Sequence, residues 1–174
     1  MNIRTILAVL CIFPVIVFGK TIELDGQGIT FEAPDEFLAV PQEIIDLKYP
    51  SKNAPRFVIG NKNAATTIAY DLKPQDLSGV EMDEILIAFE ATFSRVIPGI
   101  TWIEKKVIKQ SGREWAFLEM TSNAIDTDIY NIMLVTGFRK QMLIFNFNST
   151  KEEFPKYEEI LRESLKSIKL PDES

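Results

Sequence analysis

The chain has 174 residues, of which 46% are hydrophobic, with 25 acidic side chains against 19 basic ones, a formal charge of −6, no histidine and one cysteine. Without histidine it lacks the commonest general base and the commonest zinc ligand, and one cysteine closes no internal disulfide. The acidic balance repels a phosphate backbone and argues against nucleic acid as a partner.

The first 19 residues read as an address. Met1-Asn2-Ile3-Arg4 is a positive start, and Thr5 to Phe18 is an apolar run broken by Pro14. That run, about 14 residues, is short for a membrane span of about 20. Val17-Phe18-Gly19 offers modest side chains to a signal peptidase, so cleavage after Gly19 is expected. An uncleaved anchor is the competing reading. Cys11 follows Leu10 in mid-run, which is not the setting of a lipid-modified cysteine. Residues 20–174 are then expected to form a single exported domain, periplasmic or secreted, with no stable membrane anchor and no thiol chemistry. It is one unit more negative for the loss of Arg4.

Thr21-Ile22-Glu23-Leu24 and Ile29-Thr30-Phe31-Glu32 alternate and are joined by Asp25-Gly26-Gln27-Gly28, a hairpin signal. Phe37 to Val40 extends beyond it. Pro41 to Lys52 fits a helical turn or a strand ending at Pro50, and a strand-like or irregular path is expected. Phe57-Val58-Ile59 and Thr66 to Tyr70 read as strands, and Asp71 to Leu77 as a loop. Ser78 and Glu81 have capping-box spacing. Met82, Ile85, Leu86, Phe89, Phe93 and Val96 then recur at helical intervals up to Pro98-Gly99.

Four strands follow: Thr101–Lys109, Glu114–Ser122, Asp128–Gly137 and Gln141–Asn148. Their connections are too short for parallel crossovers and dictate an antiparallel meander. Trp115 to Leu118, Ile132 to Val135 and Met142 to Phe145 are apolar on both faces, so both faces need a cover. A single thick core with some exposed apolar residues is the alternative. A last helix carries Phe154, Tyr157, Ile160, Leu161, Leu165 and Ile168 in a stripe. It opens near Ser149 or Thr150, or starts regularly near Phe154, because Pro155 sits badly in a helix begun at Lys151. The fold class expected is α+β, a central antiparallel sheet with helices on both faces.

No catalytic, cofactor-binding or metal site stands out. Ser164 and Lys166 lie two apart on a helix and point away from each other. Asp126 and Asp128, with Asn123 or Asn131, could gather around calcium, but the loop lacks the glycine and terminal glutamate of a calcium loop. A solvated hairpin end is the preferred reading. Lys105, Lys106 and Lys109 beside Trp102 could form a cation–aromatic surface, though a solvated strand face is the default. Phe89 and Phe93 could line a pocket, but share a stripe with core aliphatics.

The order of elements resembles the PsbP-like superfamily. That group includes the extrinsic PsbP subunit of photosystem II, a yeast Ran-binding nuclear transport factor, the DcrB lipoproteins and related secreted bacterial proteins. The matching features are the hairpin ending in Ile29-Thr30-Phe31-Glu32-Ala33-Pro34, the helix after Ser78, the meander with Gly112-Arg113-Glu114-Trp115-Ala116, and the closing Phe154-Pro155 with Ile160-Leu161-Arg162-Glu163-Ser164-Leu165. The resemblance implies an α/β/α sandwich and, for most members, a non-catalytic module that docks on another protein. The lipid-attachment motif of the DcrB branch is absent here. The expected function is thus an exported, non-catalytic interaction or accessory module, one form of which is an immunity protein or adaptor. A small-ligand or metal-binding accessory protein is the alternative, and an enzyme using carboxylates alone ranks last.

Overall fold

The computed structural model describes residues 19–24, 26–49, 54–124 and 127–171. The stretch read as a leader, with Cys11, lies outside them, as do Asp25 of the expected hairpin turn, Asp126, and Pro50 to Lys52 at the end of the stretch read from Pro41. Among the described residues no helix is long and apolar enough to cross a membrane.

In chain order the elements are β1 (Lys20–Leu24), β2 (Ile29–Ala33), β3 (Leu38–Ala39), α1 (Gln42–Lys48), β4 (Phe57–Gly60), β5 (Thr66–Lys73), α2 (Met82–Val96), β6 (Thr101–Gln110), β7 (Arg113–Asn123), β8 (Asp128–Phe138), β9 (Gln141–Thr150) and α3 (Phe154–Lys166). β1 and β2 pair as a separate ribbon, while the other strands form one seven-stranded sheet in the order β3-β4-β5-β9-β8-β7-β6. Every pairing is antiparallel. The expected meander is β6 to β9, and β5 returns to lie along β9, with Ile68 opposite Phe147 and Tyr70 opposite Phe145.

The doubly apolar strands follow from covers on both faces. Trp115, Phe117, Ile132, Leu134, Phe145 and Phe147 form one core with Phe154, Tyr157, Leu161 and Leu165 of α3 and with Phe31 of the ribbon. Ala116, Leu118, Met120, Met133 and Val135 point the other way and meet Met82, Ile85 and Leu86 of α2. Beside α2, the short α1 sets Ile45 on Val58 and Ala69. Phe145 centres the first core: its ring centroid lies 5.4 Å from Phe31, 5.9 Å from Tyr70 and 6.4 Å from Trp115. Each such side chain, fully buried, contributes roughly 1.5–3 kcal/mol. The molecule is an α+β sandwich with its antiparallel sheet in the middle layer.

Four local expectations change. Residues 42–48 are helical, not strand-like. The helix buries only Ile45, so the apolar positions 44, 45, 47 and 49 gave no clean period, and the Gln42 amide donating to Asp46 at 2.7 Å closes the turn. α2 begins at Met82, not Ser78. Gly79 takes a φ of +76°, which no helix accommodates, and the Ser78 N–H donates to Asp76 Oδ1 at 2.9 Å. β5 continues through Asp71 to Lys73, because β9 pairs with it that far. Ser149 and Thr150 end β9 instead of opening α3. The Ser149 hydroxyl shares a buried 2.8 Å hydrogen bond with that of Thr66. α3 starts at Phe154, the other start expected for it, which puts Pro155 in the first turn, where its missing N–H costs nothing.

Candidate functional site

The β7–β8 ladder ends at Ala116 opposite Val135, and beyond it the two strands part. Two side chains fill the gap. Arg113 Nη1 donates to the Gly137 carbonyl at 2.8 Å, and Thr136 Oγ1 donates to the Glu114 carbonyl at 2.8 Å. β8 and β9 are then joined by Arg139-Lys140 alone, with Phe138 opposite Gln141. Both turn residues have positive φ, +47° and +58°. Such a turn favours Asn-Gly, and a residue with a Cβ pays roughly 1–2 kcal/mol in the left-handed region.

Between this end of the sheet and the approach to α2 lies a cavity of about 500 Å³. Leu77, Met82 and Phe138 give it apolar wall, Arg113, Arg139 and Lys140 its positive charge, and Asp76 and Glu114 its negative charge. The guanidinium carbons of Arg113 and Arg139 stand 5.7 and 4.9 Å from the Phe138 ring centroid. Arg139 Nη1 also donates to Gln27 Oε1 at 3.4 Å. Asp76 accepts from Ser78, and those bonds with the nearby Lys140 hold its carboxyl below the usual carboxylate range. Glu114 pairs with Lys109 at 3.6 Å. In the sequence this place is only a short connection at 138–140. The available signal was a two-residue hairpin turn with neither Asn nor Gly in it.

A second cluster lies under α3. Glu119 is 4% exposed and shares a face of β7 with Trp115 and Phe117. Its Oε1 accepts from the Tyr130 hydroxyl and from Arg162 Nη2, each at 2.5 Å. Arg162 Nε reaches on to Glu158 at 3.0 Å. Tyr130 stacks on Phe154 at 3.6 Å. Burial and then the bond to the Glu119 carboxylate push the Tyr130 phenol up to about 12. Burial works against the Arg162 charge, but its bonds to Glu119 and Glu158 outweigh this and leave it more firmly protonated. The carboxylate is enclosed and committed to donors of the fold, so the arrangement clamps α3 to the sheet.

The residues weighed from sequence lie apart. Asp128 accepts from Asn123 at 2.6 Å and from Lys151 at 3.2 Å, and Lys151 first, then Asn123, hold its carboxyl below the usual range. A cation there would have to displace an ammonium. Asn131 bonds Ser122 at 3.3 Å instead, and among the described residues no group of three acidic side chains could hold a metal. The lysines of β6 divide between its faces. Lys105 pairs with Glu90 and stands 5.2 Å from the Trp102 ring. Lys106 lies 5.1 Å over Phe117 and pairs with Glu104. Ser164 is buried with its hydroxyl unbonded, and Lys166 is exposed and pairs with Glu163. Phe89 and Phe93 stack edge-on at 5.2 Å against the α2 core, half-buried.

No family model matches the chain, and no curated protein matches it. Solved structures do. PsbP of Synechocystis sp. PCC 6803 (CyanoP) superposes with a TM-score of 0.63 at 13% identity, covering 87% of this chain and 92% of that one. PA94 of Pseudomonas aeruginosa gives 0.58 at 12% identity over 89% and 98%. LpqN of Mycobacterium tuberculosis, described as involved in cell envelope biogenesis, gives 0.56 at 13% identity over 87% and 90%. At these identities the likeness fixes the fold: the chain has the PsbP/DcrB-like fold.

Proposed function

We propose that the chain is an exported, non-catalytic accessory module that acts by binding another protein of the cell envelope. The observation that carries the reading is the commitment of its buried charge. Glu119 and Asp71, the buried carboxylates among the described residues, serve the fold, Glu119 in the α3 clamp and Asp71 through Lys73 at 2.6 Å and the backbone of Leu72. A general acid or base needs a carboxyl within reach of substrate. The involvement of LpqN in envelope biogenesis supports an envelope setting for a chain of the same fold. The charge of −6 suits a basic partner surface, the pairing that an immunity protein or adaptor would use.

Crosslinking the tagged full chain in its native envelope tests this. One protein recovered in stoichiometric yield, and absent from an unrelated exported control of equal charge, is the expected result. Recovery of nothing beyond the control, or turnover by the purified domain, would overturn it.

A further inference from the structure

We propose that the cavity at the β7–β8–β9 end of the sheet binds a small organic anion. Arg113, Arg139 and Lys140 would receive its carboxylate or phosphate, and Leu77 and Met82 its apolar part. This goes beyond a protein-docking role and does not depend on it.

The backbone supplies the first argument. Arg139 and Lys140 hold positive φ in a turn that Asn-Gly would make without strain. Strain kept where a cheaper sequence exists points to a use for the side chains, and here both line the cavity. Charge points the same way: the lining carries three cations, Arg113, Arg139 and Lys140, and two carboxylates, Asp76 and Glu114. The carboxylates have other attachments, Asp76 to Ser78 and the neighbouring Lys140, and Glu114 to Lys109. An arriving oxyanion would share Lys140 with Asp76. Placement favours an anion too. Arg113 is anchored on the Gly137 carbonyl, and both guanidiniums flank Phe138, which holds planar donors before a ligand comes. About 500 Å³ is within the usual range for small-molecule sites.

The test titrates the exported chain with hexyl phosphate and, separately, with hexanoate at low salt, by calorimetry and amide NMR. Saturable binding of either probe, with shifts confined to Leu77–Ser78 and Gly137–Gln141, is expected, and the probe that binds identifies the head group. The variant R139N/K140G installs the residues the turn prefers, so it folds with an equal or higher urea midpoint. Its affinity for the bound probe should fall at least about tenfold, the loss of one charge-assisted contact or more. Failure of both probes to saturate below about 1 mM, or a folded R139N/K140G variant that binds as tightly as the parent, would overturn the proposal.

Discussion

Replacing Arg162 with leucine isolates the clamp between α3 and the sheet. The change strands the Glu119 carboxylate, 5% exposed at its side chain, with the Tyr130 hydroxyl as its remaining side-chain donor. Breaking a buried pair by removing one partner costs about 3–5 kcal/mol. Arg162 itself is one-third exposed, and water entering its place would solvate Glu119 in part, which brings the expected loss to about 2–3 kcal/mol. Glu119→Leu combined with Arg162→Leu removes both charges and leaves matched apolar volume, so it should return to within about 1 kcal/mol of the parent. Urea unfolding followed by far-ultraviolet circular dichroism reads both. With a slope of about 1–3 kcal/mol per molar for a domain of this kind, the single variant should drop its midpoint by about 1–2 M at unchanged slope. A single variant within about 0.5 kcal/mol of the parent would refute the reasoning. So would a double variant no more stable than the single.

The raised Tyr130 phenol predicts alkaline sensitivity. Its folded value of about 12 exceeds the ordinary 10.0, so the folded state holds the proton longer, and stability intact below pH 10 should fall between pH 10 and 12. The fall is at most about 2.7 kcal/mol at 1.36 per unit, about 1 kcal/mol after solvent screening, and Tyr130→Phe should abolish that component of a pH–urea titration. Gly60→Ala should destabilise by about 1–3 kcal/mol in a thermal melt, because the new Cβ would sit 2.7 Å from the Thr66 carbonyl oxygen and 2.8 Å from Thr67 Cγ2. Ser164→Ala should stabilise by about 1 kcal/mol, since the buried Ser164 hydroxyl has no hydrogen-bond partner and alanine is the better helix former. A lower urea midpoint would contradict that.

What the sequence made legible was local. Trp115 to Leu118 and Met142 to Phe145 are apolar at consecutive positions, so a sheet covered on both faces could be read from the strands themselves. α2 was legible because Met82, Ile85, Leu86, Phe89 and Phe93 recur at a helical period against the sheet, although Val96, expected on the same stripe, is exposed; its start was misplaced because Ser78 and Glu81 imitate a cap while Gly79 forbids one. α1 escaped because it buries one residue. The sites escaped for another reason. Glu119 and Arg162 meet across 43 residues of chain, and the cavity gathers residues from 76–82, 113–114 and 136–141. Periodicity within a strand carries no information on such distances.

The architecture itself narrows where recognition can occur. Both faces of the sheet are taken up by helices and the ribbon. The β6 edge is guarded by the exposed Glu104, Lys105, Lys106 and Lys109 and by an irregularity at Trp102/Glu104, features that discourage strand addition. The β3 edge offers only two residues. That leaves the ends of the strands. At one end the Asp128 carboxylate pairs with Lys151 and accepts from Asn123. At the other, the β7–β8 ladder opens early, two cations occupy a strained turn, and a cavity forms beside them. Of the two ends, this is the one with a cavity lined by three cations, and it is where a ligand has something to gain by arriving.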